Sequence, residues 1–125
     1  MKLKDIIKAR SVLSTLYKEK ISVKLAYKFM KFINTTQKDE DFLNEKMQGI
    51  IEEFGERDEN NEFTKLENGG IRIRPDKQKE CMDKTIELDE TEVDNPNITF
   101  TLDELDELKL SIVDMDALNP FIKEE

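Results

Sequence analysis

Few residues in this chain have the type and spacing that chemistry needs. Asp58, Asn60 and Glu62 alternate as the first ligands of a calcium loop do. Such a loop also needs a glycine to turn the chain and a later bidentate glutamate to close the coordination sphere. Phe63 and Gly69 stand at those two places, so the stretch reads as a solvated acidic loop. Cys81 is the single cysteine, and Lys77, Lys79 and Lys84 would favour a reactive thiolate there. Glu80 and Asp83 flank it more closely and oppose that, so it reads as an inert, half-buried helix residue. The chain has no histidine. That removes Ser–His and Cys–His pairs, imidazole bases and His-containing metal sites, and one cysteine cannot build a structural zinc site. The paired Gly69-Gly70 lacks the Lys-Ser/Thr that follows a phosphate-binding loop. Acid pairs and magnesium sites need only Asp and Glu, but with 29 such residues nothing singles out a pair. No catalytic residue, cofactor or metal is therefore expected.

What stands out instead is the distribution of charge. Residues 1–33 carry nine Lys/Arg against Asp5 and Glu19, a net +7, whereas residues 34–125 carry eleven bases against 27 acids, a net −16. A split of this kind concerns partners more than fold. Either the chain neutralises part of itself on folding, or it presents two faces of opposite sign. The basic part centres on Lys20, Lys24, Lys28 and Lys31; the acidic part on Glu52, Glu53, Glu56, Asp58, Glu59 and Glu62, with a second group at Asp103, Glu104, Asp106 and Glu107. The lysines could track phosphates. Scarce arginine, no accompanying aromatic platform and the overall negative charge disfavour direct nucleic-acid binding and leave a solvated helix face. The tail acids suit helix N-termini, where the macrodipole favours them.

With 125 residues, 37% hydrophobic and 39% charged, the chain suits one domain, 1–125, with a single modest core. The low apolar share leans towards disorder, but the apolar residues recur periodically, which is what an amphipathic fold requires. No apolar run is long enough to cross a bilayer. The basic N-terminus does not lead into a signal-peptide core, since Lys8, Arg10 and Ser11 interrupt it. A lone cysteine suits a reducing compartment. The expectation is a cytoplasmic protein with no membrane segment.

The elements that would carry these residues follow from periodicity and caps. A first helix is expected over about Leu3–Lys18, with Leu3, Ile6, Ile7, Leu13, Leu16 and Tyr17 on one face. Ser22 caps a second, with Ile21 stapled to Ala26; Leu25, Ala26, Phe29, Met30, Phe32 and Ile33 form a wide apolar arc opposite the lysines. A third begins at Thr36–Asp39 on a variant capping box, carries Phe42, Leu43, Met47, Ile50, Ile51 and Phe54, and ends at Gly55 as a left-handed cap. After an exposed loop at 55–62 comes a β-hairpin, about 63–74, with Asn68-Gly69 at its turn. Two strands alone are marginal, and Ile98–Phe100 is a candidate third. A fourth helix runs from Pro75 to about Glu90 on the thin apolar face of Cys81, Met82, Ile86 and Leu88. Capping boxes at Thr101/Glu104 and Ser111/Asp114 start two short helices; the first carries Leu102, Leu105 and Leu108, the second Ile112, Met115 and Leu118. The fold class is α+β, predominantly helical.

Three stretches taken together, KLKDIIKARSVLSTLYKEKISVKLAYKFMKFI, NGGIRIRPDK and ITFTLDELDELKLSIVDMDALNPFI, resemble a family of small uncharacterised phage and prophage proteins of Gram-positive bacteria. The resemblance spans most of the chain. It implies a phage origin and a bacterial cytoplasmic setting, and no activity or functional residue. Three functional expectations stand. The first is a non-catalytic phage protein-binding module, one form being an inhibitor of a host nucleic-acid-handling or defence protein. Its acidic surface would guide encounter, with exposed members of Phe63, Leu66, Ile71 and Phe121 as anchors. The second is a virion or assembly protein that self-associates, basic helices of one copy against the acidic region of the next. The third is a carboxylate-dependent, metal-assisted enzyme.

Overall fold

A computed structural model describes residues 1–123. The chain is a predominantly helical α+β protein: about 60% helix with a two-stranded parallel sheet. In order come α1 (Leu3–Thr15), α2 (Val23–Phe54), a 3-10 turn (Pro75–Lys77), α3 (Gln78–Asp89), β1 (Phe100–Thr101), α4 (Leu102–Leu105), α5 (Ile112–Leu118), a second 3-10 turn (Asn119–Phe121) and β2 (Ile122–Lys123). The residues group into two compact units, Met1–Glu40 with Glu92–Glu125, and Asp41–Thr91.

In the first unit, α1 stops at Thr15 rather than Lys18. Ser14 Oγ donates to Ser11 O and Thr15 Oγ1 to Val12 O, each at 2.7 Å. Side chains that bond the preceding turn compete with the helix ladder and favour its end. Tyr17, expected on the buried face, is therefore off the helix and 86% exposed. Ser22 caps α2 as expected, its Oγ accepting from Leu25 N.

The larger departure is that the expected second and third helices are one helix of 32 residues. Thr36, read as a cap, sits buried inside α2, where its Oγ1 donates to Phe32 O at 2.7 Å. The cause lies on α1. The Arg10 side chain is 7% exposed; Nη1 donates to Ile33 O at 2.8 Å and Thr36 Oγ1 at 2.7 Å, and Nη2 to Gln37 Oε1 at 3.0 Å and Glu40 Oε2 at 2.7 Å. Positions 33, 36, 37 and 40 are one face of an α-helix, so this guanidinium is satisfied only while residues 33–40 stay helical. Asp39 is also buried, and that burial raises its carboxyl above the ordinary value; Lys38 and Arg10 pull the other way, and Asp94 adds to the rise.

The core of this unit gathers Ile6, Ala9, Val12 and Leu13 of α1, Leu25, Phe29 and Phe32 of α2, and Ile98, Phe100, Leu105, Leu118 and Phe121. Phe29 meets Phe100 edge-on at 5.3 Å, and Phe32 meets Phe121 edge-on at 4.9 Å, the arrangement that ring quadrupoles favour. Phe121 is 1% exposed and so cannot serve as an exposed anchor: β2 pairs in parallel with β1, Phe100 opposite Ile122, and this pairing draws the preceding turn inward. The strand expected at 98–100 exists at Phe100–Thr101, but its partner is β2 and not the hairpin. Both tail capping boxes form, with Glu104 N donating to Thr101 Oγ1 and Asp114 N to Ser111 Oγ. Leu105 and Leu118 are the residues those short helices bury; Leu102 and Ile112 point to solvent.

In the second unit, Ile50, Phe54 and Leu88 are buried, Phe42, Leu43, Met47 and Ile51 partly so. The expected hairpin over 63–74 keeps its turn: Leu66 N donates to Gly70 O, and Gly69 has φ +86°, which its missing Cβ permits. It does not form two regular strands. Isolated bridges link Gly55 with Ile73, Arg57 with Phe63 and Lys65 with Ile71. Glu56 N donates to Arg72 O, Arg72 N to Thr64 O and Thr64 N to Glu56 O, at 2.7–2.8 Å, a closed triangle of backbone bonds. The third segment is thus Gly55–Arg57, at the start of what was expected to be a loop. Gly55 is not left-handed; it is needed because an added Cβ would lie 2.5 Å from the Ile51 carbonyl oxygen and 2.8 Å from the Phe63 ring. Cys81 is half-buried on α3, while Met82 and Ile86 are exposed.

Two stability measurements check this account by urea denaturation. Arg10→Ala should cost about 2–3 kcal/mol, towards the lower end for a broken buried pair because Glu40 stays half in water. Phe121→Ala should cost about 3–4 kcal/mol as a core truncation, whereas Leu66→Ala, at 47% exposure, should stay within about 0.5 kcal/mol.

Candidate docking surface

The charge split of the sequence resolves differently in the two units. Residues 92–125 carry ten acids and two bases and fold with the basic helices, so the first unit nets −2 while the second nets −7. Specific contacts accomplish this. Lys28 Nζ lies 2.8 Å from Glu104 Oε1 and donates to Thr99 O at 2.9 Å; Lys38 pairs with Asp94; the N-terminal ammonium pairs with Glu92; and Ser22 N donates to Glu107 Oε1 at 2.8 Å. Glu104 and Glu107, two of the four tail acids, therefore hold this unit together. The Lys28 contact, ahead of the opposing effect of burial, holds the Glu104 carboxyl below its ordinary value, helped by bonds from the Thr101 amide and hydroxyl.

Among the expected basic residues, Lys28 is thus engaged, while Lys20, Lys24 and Lys31 are exposed and make no ion pair among the described residues. Lys20 precedes α2 rather than lying on it. Among the expected acidic residues, Glu53 is paired with Lys84 at 3.1 Å, and Glu56 lies 3.0 Å from Arg72 Nε. Asp58 accepts from the Asn60 and Glu62 amides, ordering the loop. Glu52, Asp58, Glu59 and Glu62 are exposed. Phe63 is partly buried with the Arg57 guanidinium stacked 4.0 Å from its ring centre, Ile71 is partly buried, and Leu66 is the most exposed of the proposed anchors in this unit. No group of three or more metal-ligating side chains is found among the described residues, and no helix is long and apolar enough to cross a membrane.

A feature missed in the sequence lies on the outside of α2. The expected apolar arc divides on folding: Leu25, Phe29 and Phe32 enter the core, while Met30 stays 53% exposed beside Val23 (85%) and Tyr27 (59%), which lie outside that arc. At i, i+4 and i+7 these three stack into a ridge along the helix. On one side is an open groove of about 660 Å³, lined by Lys24, Lys28, Lys31, Ile98, Thr99 and Glu104 as well as ridge residues. On the other is a groove of about 220 Å³ lined by Leu13, Leu16, Tyr17, Ile21, Phe29 and Ile33, among others, with Glu19 its one acid. The i, i+4, i+7 spacing of Val23, Tyr27 and Met30 is present in the sequence, but periodicity alone cannot say which apolar residues of a helix the core leaves outside.

Comparison with family models, with curated proteins and with solved structures returns no match.

The lowered Glu104 carboxyl makes the stability of this unit depend on pH. Its contribution to stability is fully present above the ordinary value of 4.5 and is lost as pH falls through the lower folded value. The melting-temperature gap between wild type and Glu104→Gln should be constant near neutrality and narrow as pH drops below the ordinary carboxylate value, as followed by circular dichroism.

Proposed function

We propose that this chain is a non-catalytic protein-binding module of phage origin, working in a bacterial cytoplasm and docking on a host or phage protein. The observation that carries this reading is the exposed ridge Val23–Tyr27–Met30, on a helix whose opposite side is core. Isolated apolar side chains at a surface are ordinary, but three in register with a groove on either side are what a partner's anchors require. A surface mounted on a packed helix also keeps its geometry, so little ordering is needed on binding. The phage origin draws on the sequence resemblance. Inhibition of a nucleic-acid-handling or defence protein draws on the second unit, whose net −7 and exposed Glu52, Asp58, Glu59 and Glu62 would speed encounter with a basic surface.

A second reading, a self-associating assembly protein, is favoured by one specific observation. Lys20, Lys24 and Lys31 lack ion-pair partners among the described residues while another part of the chain keeps excess acid, so copies could meet head to tail.

The two separate by affinity capture with the purified full chain. Under the first reading, a protein retained from phage-infected or lysogenic cells is lost with Tyr27→Asp, a variant whose melting temperature matches wild type, and the chain is a monomer at low and high salt. Retention unchanged by Tyr27→Asp counts against the ridge. Oligomers that dissolve as salt rises favour assembly.

A further inference from the structure

We infer that the occupant of the α2 ridge is an acidic amphipathic α-helix of another protein; this rests on the docking reading above and names its partner class. Val23 and Met30 are seven helical steps apart, about 10 Å at a rise of 1.5 Å per residue, with Tyr27 between them, the length over which a second helix presents two turns of its own apolar stripe. The two flanks differ in chemistry. One is apolar, through Leu16, Tyr17, Ile21 and Ile33; the other is basic, through Lys24 and Lys31. A helix lying along the ridge places apolar side chains over Tyr27 and Met30 and into the apolar groove, and turns its next face towards the lysines. That next face must be acidic. Lys24 and Lys31 have no ion-pair partner among the described residues, whereas Lys28, on the same side, already holds Glu104 at 2.8 Å. The chain has thus neutralised internally the lysine nearest its own acids and left the outer two uncompensated. A second copy meeting through the same ridge is disfavoured: an antiparallel two-fold contact sets Lys24 and Lys31 against the same lysines, and a parallel one sets them over the partner's apolar groove. Single-stranded nucleic acid would use the lysines and stack on Tyr27, but leaves Val23, Met30 and the apolar groove without a role.

The test uses the intact chain and labelled synthetic peptides of about 18 residues, long enough for five turns. One is a helix with a Leu stripe at i, i+3, i+4 and i+7 and Glu elsewhere; a second replaces every Glu by Lys; a third scrambles the first. Fluorescence polarisation should show the acidic helix binding at least about tenfold more tightly than either control, a difference of roughly 1.4 kcal/mol, and weakening as salt rises from about 50 to about 300 mM. Tyr27→Asp should abolish binding, and Lys24→Glu with Lys31→Glu should transfer preference to the basic helix. These residues are exposed, so melting temperatures should match wild type. The inference is overturned by an acidic helix that binds no better than its scrambled form, by binding indifferent to Tyr27→Asp, by a single-stranded oligonucleotide that binds more tightly, or by a dimer that Tyr27→Asp dissociates. If a cellular partner is lost with Tyr27→Asp while the acidic helix fails to bind, the ridge is a docking surface for another chemistry and only this inference falls. If neither depends on Tyr27, both readings fall.

Discussion

The Arg10 guanidinium is the contact on which the first unit depends. A buried cation is costly unless its donors are answered, and four of its contacts are supplied by one face of α2, from Ile33 to Glu40. The same contacts join α1 to α2 and keep the Asn34-Thr35-Thr36 segment helical, where local preference would start a new helix. Arginine is suited to this by its planar fork, which reaches several acceptors at once; lysine would offer a single point charge. Nε has no hydrogen-bond partner among the described residues, so the arrangement carries some cost, offset by the other contacts and by the apolar core beside it.

Electrostatics in this protein is largely an internal matter. The basic N-terminal third is only in part a free cationic surface, because the acidic segment from Glu92 onward folds with it and supplies Glu92, Asp94, Glu104 and Glu107 to its donors. Exposed pairs of this kind contribute little each; their role is to set register between segments far apart in sequence. What is left over is specific in place: Lys20, Lys24 and Lys31 on one unit, and a net −7 on the other.

Function, on this view, is a question of which apolar surface the core did not need. α2 carries more apolar residues than one interior can take, and the surplus sits on a packed helix rather than a loop, so its geometry is held before any partner arrives. The acidic loop and hairpin are different in kind. Their backbone triangle and the Arg57–Phe63 stack give them shape without a large interior, and Phe63 and Ile71 are correspondingly half-buried while Leu66 is exposed.

The amino-acid sequence by itself determined the features whose causes lie within a few residues. These are the capping boxes at Thr101/Glu104 and Ser111/Asp114, the Ser22 cap, the left-handed Gly69 in its turn, the helical periodicity, and the helix that follows Pro75. Each depends on contacts between positions three or four apart, which a linear reading contains. Tertiary structure decided everything that needed a partner chosen from a distance. It made two expected helices one, because Arg10 answers residues 33–40. It buried Phe121 and paired Phe100 with Ile122, because the C-terminal strand returns beside β1. It also took Phe29 and Phe32 of the expected α2 arc inside and left Met30 outside, beside Tyr27, since an apolar pattern states that a face can be buried and only the packed neighbours determine which one is.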